Sequence, residues 1–251
     1  MTHTLGLAPH PGAASRPRRV LAQASFEVRT TLRHGEQLLI TAILPALFLV
    51  VLARTEVFTL PVSGGQERID LVTPGVLALA VLSSAFTGPA IATGFDRRAG
   101  ALRLLATTPL GRGGLLAGRI LGVGFIQVLQ VTLLASLAVT LGWRPPLAGA
   151  ALGALPFAAG TAAFTALAML VAGTLRTEAV LAGSNLLWVL MAIGGGVLLP
   201  TGSRWLPSAA LGDGLRAAMN LEVATVAVCT AILIGWAGVL TAGALRWFRW
   251  H

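Results

Sequence analysis

The chain of 251 residues contains no lysine, one cysteine and four histidines, and only 11% of its residues are charged. Soluble domains carry roughly 25% charged residues, so a water-soluble fold is not expected. The missing lysine has a sharper consequence, because the phosphate loop of nucleotide-binding subunits needs a lysine after its second glycine to reach the β- and γ-phosphates. Any ATP that drives this chain must therefore bind elsewhere. Cys229 lies in an apolar run and has no second cysteine to join in a disulfide or metal site; it reads as a small buried hydrophobe. His3, His10, His34 and His251 all lie outside the apolar runs, which leaves no imidazole at depth to ligate haem or relay protons. The runs hold no clear Asp, Glu, His or Arg either, whereas ion-coupled carriers commonly place ionisable groups within the bilayer. No inverted repeat of the kind that builds many such carriers is visible. No catalytic set and no metal site emerges.

What remains is strongly apolar. Hydrophobic residues make up 55% of the chain, and the mean hydropathy is +0.82. About 20 apolar residues cross a hydrocarbon layer of ~30 Å, and charge-free stretches of 17 to 31 residues recur along the sequence. They predict an all-α polytopic membrane protein with six spans near residues 37–53, 71–95, 120–143, 146–175, 179–203 and 223–245. Pro45, Pro89 and Pro156 fall inside three of them, where kinks are expected.

All eighteen basic residues are arginine, and the net charge is +9. Nucleic-acid binding needs a basic stripe on a solvated surface, but these arginines sit between apolar spans. Thirteen fall on the side of the two termini and five on the other. Cytoplasmic loops carry the arginine excess, so both termini are expected in the cytoplasm of a cell-membrane protein. Residues 1–19, rich in Pro, Gly, Ser and Arg, read as a mobile tail ahead of one permease domain over 20–251. Val20, Ala24, Val28 and Leu32 then recur at i, i+4, i+8 and i+12 beside Arg29 and Arg33, the pattern of an amphipathic helix lying on the lipid surface.

The most informative stretch is GFDRRAGALRLLATTPLGRGGLLAGRI, residues 94–120. Read as one helix, it places Phe95, Ala99, Leu102 and Ala106 on one face, and Pro109 should close it near Thr108. Asp96, Arg97, Gly100, Leu102, Leu105, Thr108, Pro109, Leu110, Gly118 and Arg119 resemble the intracellular coupling segment of permeases of type-two ATP-binding-cassette (ABC) exporters. Arg98 and Arg103 stand where that family often has acidic residues, and Ala101 where it often has threonine. A second stretch, residues 194–219, resembles the family's Gly-Val-x-x-Pro end of the fifth span and the short helix after it, through Gly196, Val197, Pro200, Leu206, Pro207, Leu215 and Arg216.

The resemblance implies a permease subunit that pairs with a second permease chain, identical or paralogous. Two cytoplasmic ABC ATPase subunits, holding ATP and magnesium, would grip the 96–112 segment and the surface helix. Leu102 and Leu105 are expected on or beside the docking face, with Arg103 meeting carboxylates there. The outer segment between spans five and six is expected to re-enter the membrane, and the substrate to be a hydrophobic or amphiphilic molecule. Alternatives are a haem- or cytochrome-assembly permease or, in a different class, a membrane enzyme or a scaffold. Among span residues, Gln127, Gln130 and Asn185 are candidates for a polar passage or for bonds between helices. The structural role is favoured for the glutamines, which share a face at i and i+3.

Overall fold

A computed structural model describes residues 12, 14–33, 35–55, 67–198 and 204–248. These residues form helices α1 (Arg16–Arg33), α2 (Gly35–Arg54), α3 (Arg68–Leu82), α4 (Gly88–Arg98), α5 (Ala101–Ala106), α6 (Gly111–Thr140), α7 (Leu147–Thr174), α8 (Thr177–Ile193), α9 (Pro207–Met219) and α10 (Val223–Trp247), with no strand among them. A π-helical turn, Ser83–Thr87, joins α3 to α4. Pro89 follows directly, and a proline has no N–H to return to the preceding turn. The wider π turn absorbs the missing bond, so the 31-residue run Arg68–Arg98 continues through it.

Four helical runs are long and apolar enough to cross a membrane, namely Arg68–Arg98, α6, α7 and α10, which gives the chain the character of a membrane protein. The apolar helices Thr41–Arg54 and Thr177–Ile193 are shorter. Three boundaries differ from those expected of the sequence. The N-terminal helix starts at Arg16 rather than Val20, because Pro17 is tolerated in a first turn whose N–H groups are unpaired anyway. Helix α6 starts at Gly111, so Gly118 and Arg119 are helical rather than part of a loop; its 30 residues reach about 45 Å. Helix α8 stops at Ile193, well short of 203, where Gly194 begins a bend and Gly196 takes a φ of 71°.

The core is built mainly from α3, the π turn, α7, α9 and α10, around Phe86, Phe164, Leu82, Leu211 and Leu233, with Cys229 buried among them. A second cluster closes the end formed by α5 and the first turns of α6, and joins Leu102, Leu115, Leu116, Met169, Ala244 and Phe248. A third, at the opposite end, packs Leu49 and Leu52 of α2 against Ile69, Val72, Val76 and Trp143.

Candidate functional site

One buried guanidinium sits where α1, α4 and α6 meet. Arg119 of α6 is 4% exposed and is held on each edge of its guanidinium. Its Nε donates to Glu27 Oε1 of α1 at 2.8 Å, and its Nη2 donates to Asp96 Oδ2 of α4 at 2.6 Å. Nη1 donates to the Thr93 hydroxyl and, at 3.3 Å, to the Pro89 carbonyl. Gln23 Nε2 donates to the same Glu27 oxygen at 2.8 Å. A guanidinium is suited to this because its rigid planar fork presents donors in several fixed directions, whereas an ammonium is a point charge.

Close helix approach makes the joint possible. At Gly118 an added Cβ would come within 2.6 Å of Gln23 Cγ and 3.3 Å of the Val20 carbonyl, so only glycine lets α1 settle this deeply on α6. Helix α1 is consequently no isolated surface helix. Gln23 and Ala24 are buried against the protein, Val20 and Val28 are half-buried, and Leu32, Arg29 and Arg33 are exposed. Leu32 thus departs from the stripe that its spacing implied. Glu27 is not marked by the apolar spacing, although Gln23 and Glu27 stand one position before Ala24 and Val28, on the shoulder of the same stripe.

The 94–110 stretch is two helices and not one. Gly100 adopts the left-handed conformation, φ 78°, which ends α4 after Arg98 and sends the chain into α5. Glycine takes this conformation without the steric penalty of a Cβ. The turn separates residues that a continuous helix would align: Phe95 is exposed, whereas Leu102 is wholly buried in the second cluster. Leu102 is therefore a core anchor and not part of an exposed docking face. Leu105 and Leu110 are partly buried against the same cluster. The exposed surface of α5 and its turn is made by Arg103, Leu104, Thr107, Thr108 and Pro109, with Leu104 73% exposed. The Thr107 and Thr108 hydroxyls donate back to the Leu104 and Leu105 carbonyls at 2.7 Å and stiffen the turn. Arg97 donates to the Leu175 carbonyl, and Arg98 faces Glu178 at 3.8 Å in an exposed pair; pairs of that kind contribute little.

Deeper in α6, Gln127 is fully buried. Its Nε2 donates to the Val81 carbonyl at 3.1 Å and to Ser84 Oγ at 2.9 Å, and its Oε1 accepts from Thr161 at 2.5 Å, so one side chain ties α6 to the π turn region and α7. Gln130 Nε2 donates to the Thr41 carbonyl of α2 at 2.7 Å. Gln127→Leu should destabilise the protein more than Gln130→Leu, because it removes three bonds between elements where Gln130 makes one; at about 0.6–2 kcal/mol per interhelical bond, unfolding in detergent should separate the two variants. Equal stability of both with the unaltered protein would refute the assignment. Asn185, by contrast, is exposed on α8.

At the opposite end, Leu206 caps α9 and Pro207 opens it, and the helix is buried along almost its whole length. It runs antiparallel to α7: Leu211 meets Gly160, Gly214 meets Pro156, and Ala218 meets Gly149. Its second turn therefore abuts the middle of α7 and its last turn the start of α7. Arg216 secures the preceding bend, donating from Nη1 to the Val197 carbonyl and from Nη2 to the Gly196 carbonyl, each at 2.9 Å, and to Asp213 Oδ1 at 2.8 Å. Pro200 lies outside the described residues. Among those described, no three His, Cys, Asp or Glu side chains come together as a metal site would require.

No protein-family model matches the chain, and no curated protein matches it.

Proposed function

We propose that this chain is the permease subunit of an ABC exporter, forming the membrane pathway for a hydrophobic or amphiphilic substrate and driven by ATP hydrolysed on a separate subunit. In this reading α2 and α8 also cross the cell membrane, giving six spans with both termini cytoplasmic, and a second permease chain, identical or paralogous, completes the pathway. Two cytoplasmic ATPase subunits, carrying ATP and magnesium, dock on α5 and on α1.

The observation that carries the proposal is the construction of α5. It offers an exposed Arg103–Leu104 edge and a hydroxyl-braced turn, yet its buried side is fastened to the core through Leu102. A push on the exposed edge is thus delivered to α6 and α7 and not dissipated in a loose loop. The Arg119 joint sits directly behind it and makes α1, α4 and α6 respond together. Substrate would pass as the ATPases close and these helices shift as one piece.

Purified from its own membrane, the chain should bring an ABC ATPase whose ATP hydrolysis responds to added amphiphile. Arg103→Glu combined with Leu104→Asp should release that ATPase, because the first reverses a charge meant for partner carboxylates and the second charges the apolar contact, while the permease keeps its thermal stability. Purification without any ATP-hydrolysing subunit, or full coupled turnover in the double variant, would overturn the proposal.

A further inference from the structure

Helix α9 begins beside the middle of two membrane-length helices and not at their ends. Its Leu211 meets Gly160, near the middle of α7, and its Gly214 meets Cys229 of α10. Just before α9, the Trp205 carbonyl accepts from Trp236 Nε1 at 2.8 Å, near the middle of α10. At roughly 1.5 Å per residue, Cys229 and Trp236 stand about 9 and about 20 Å along α10 from its first residue, Val223.

Charge is placed at this level. Arg204 Nε lies 3.7 Å from Asp213 Oδ2, and Arg216 Nη2 donates to Asp213 Oδ1 at 2.8 Å. Two guanidiniums thus share one carboxylate, which leaves one positive charge. Arg216 is buried and is held further by the Gly196 and Val197 carbonyls. Arg204 keeps half of its side chain exposed, in a cleft of about 790 Å³ whose α10 side is made by Val228, Ala231 and Ile232. Its guanidinium is level with that apolar wall, because Asp213 immediately precedes the Gly214 that meets Cys229.

An ionisable group at depth in a membrane chain pairs with another charge or borders a cavity or pathway, because hydrocarbon solvates charge poorly. A second copy of this chain is a poor source of the missing anion. No other acidic residue among those described stands at this depth: Glu67, Asp70 and Glu222 are at helix starts on the outer side of the cleft, and the rest lie toward the α5 end. Asp213 itself is 11% exposed and already bonded to Arg216. The anion is therefore to be sought in a ligand.

We propose that Arg204 is the counter-ion for the anionic head of a single-chain amphiphile, whose hydrocarbon begins against Ala231 and Ile232. The volume suits a small ligand, since such sites measure about 300–1,000 Å³. A guanidinium meets the paired oxygens of a carboxylate or phosphate through charge-assisted hydrogen bonds. Calling this ligand the exported substrate rests on the permease reading; its binding does not, and is measured on the chain alone.

The test is equilibrium binding of radiolabelled dodecyl phosphate and dodecanoate to the purified chain in non-ionic detergent, set against dodecanol and dodecyltrimethylammonium. Both anions should bind about tenfold more tightly than the neutral and cationic chains, a factor within reach of one charge-assisted pair. Arg204→Gln should remove that preference and leave the unfolding temperature unchanged, because the side chain is half exposed. Ala231→Trp, at an exposed position, should fill the groove beside the guanidinium and weaken both anions about tenfold with every charge in place. Equal binding of anionic and cationic chains, or a preference that survives Arg204→Gln, would overturn the assignment. So would displacement of dodecyl phosphate by an equal concentration of dioleoyl phosphatidylglycerol, which marks a resident-lipid site, or of inorganic phosphate, which marks an ion site. A co-purified ATPase stimulated equally by anionic and cationic amphiphiles would refute the substrate class and leave the permease reading intact. Arg204-dependent binding to a chain that brings no ATPase would sink that reading and leave this site.

Discussion

Arg119→Leu is expected to destabilise the folded protein toward the lower end of the about 3–5 kcal/mol that removing one partner of a buried ion pair costs, because the two carboxylates left behind are partly exposed. The loss comes chiefly from what is left behind. Glu27 and Asp96 would face one another across a site from which their shared counter-charge had gone, and the Pro89 carbonyl and Thr93 hydroxyl would lose a donor. Arg119→Lys should recover only part of the loss, because a single ammonium cannot meet Glu27, Thr93 and Asp96 from three edges at once. Asp96→Asn should cost less than Glu27→Gln, since the Asp96 side chain is 41% exposed and that of Glu27 21%. Unfolding of the purified variants in detergent measures all four. If Arg119→Lys were as stable as the unaltered protein, the directional role of the guanidinium would be wrong.

Leu102→Asp is expected to be at least as damaging, for an unrelated reason. Truncating a fully buried leucine costs about 2–5 kcal/mol through lost burial and the cavity left behind. Aspartate adds an unpaired polar group amid Leu115, Leu116, Met169 and Phe248. Leu104→Asp, two residues on and 73% exposed, should change stability by no more than about 0.5 kcal/mol. The contrast matters for any test of coupling. Loss of transport in a Leu102 variant reports a damaged core, whereas loss in a Leu104 variant with unchanged unfolding reports a lost contact. A Leu102→Asp protein as stable as Leu104→Asp would show that α5 is not anchored as described.

Much of the molecule was legible in the residue order. The apolar runs, the scarcity of charge and the missing lysine define an α-helical chain of membrane character without a phosphate loop of its own, because helix length and hydrocarbon thickness are commensurate whatever the neighbours are. The helix ends at Gly100 and Gly194 did not show in the residue order: residues 94–110 read as one helix and the fifth span as running to 203, because glycine is tolerated inside a helix as well as at the left-handed turn that Gly100 takes. Partner choice is a different kind of information. Periodicity reports which residues share a face, but not what covers it, and in helices apolar all round the inward face leaves almost no pattern to read. Only the fold could decide that Leu102 turns inward while Leu104 turns out. Only the fold could bring Arg119 to Glu27, 92 positions earlier, since a buried charge is tolerated where opposite charge meets it, and that meeting is set by how α1 closes on Gly118 of α6. The same holds for α9, whose sequence reads as a short polar-edged helix and whose burial on nearly every side is imposed by α3, α7 and α10 packed around it.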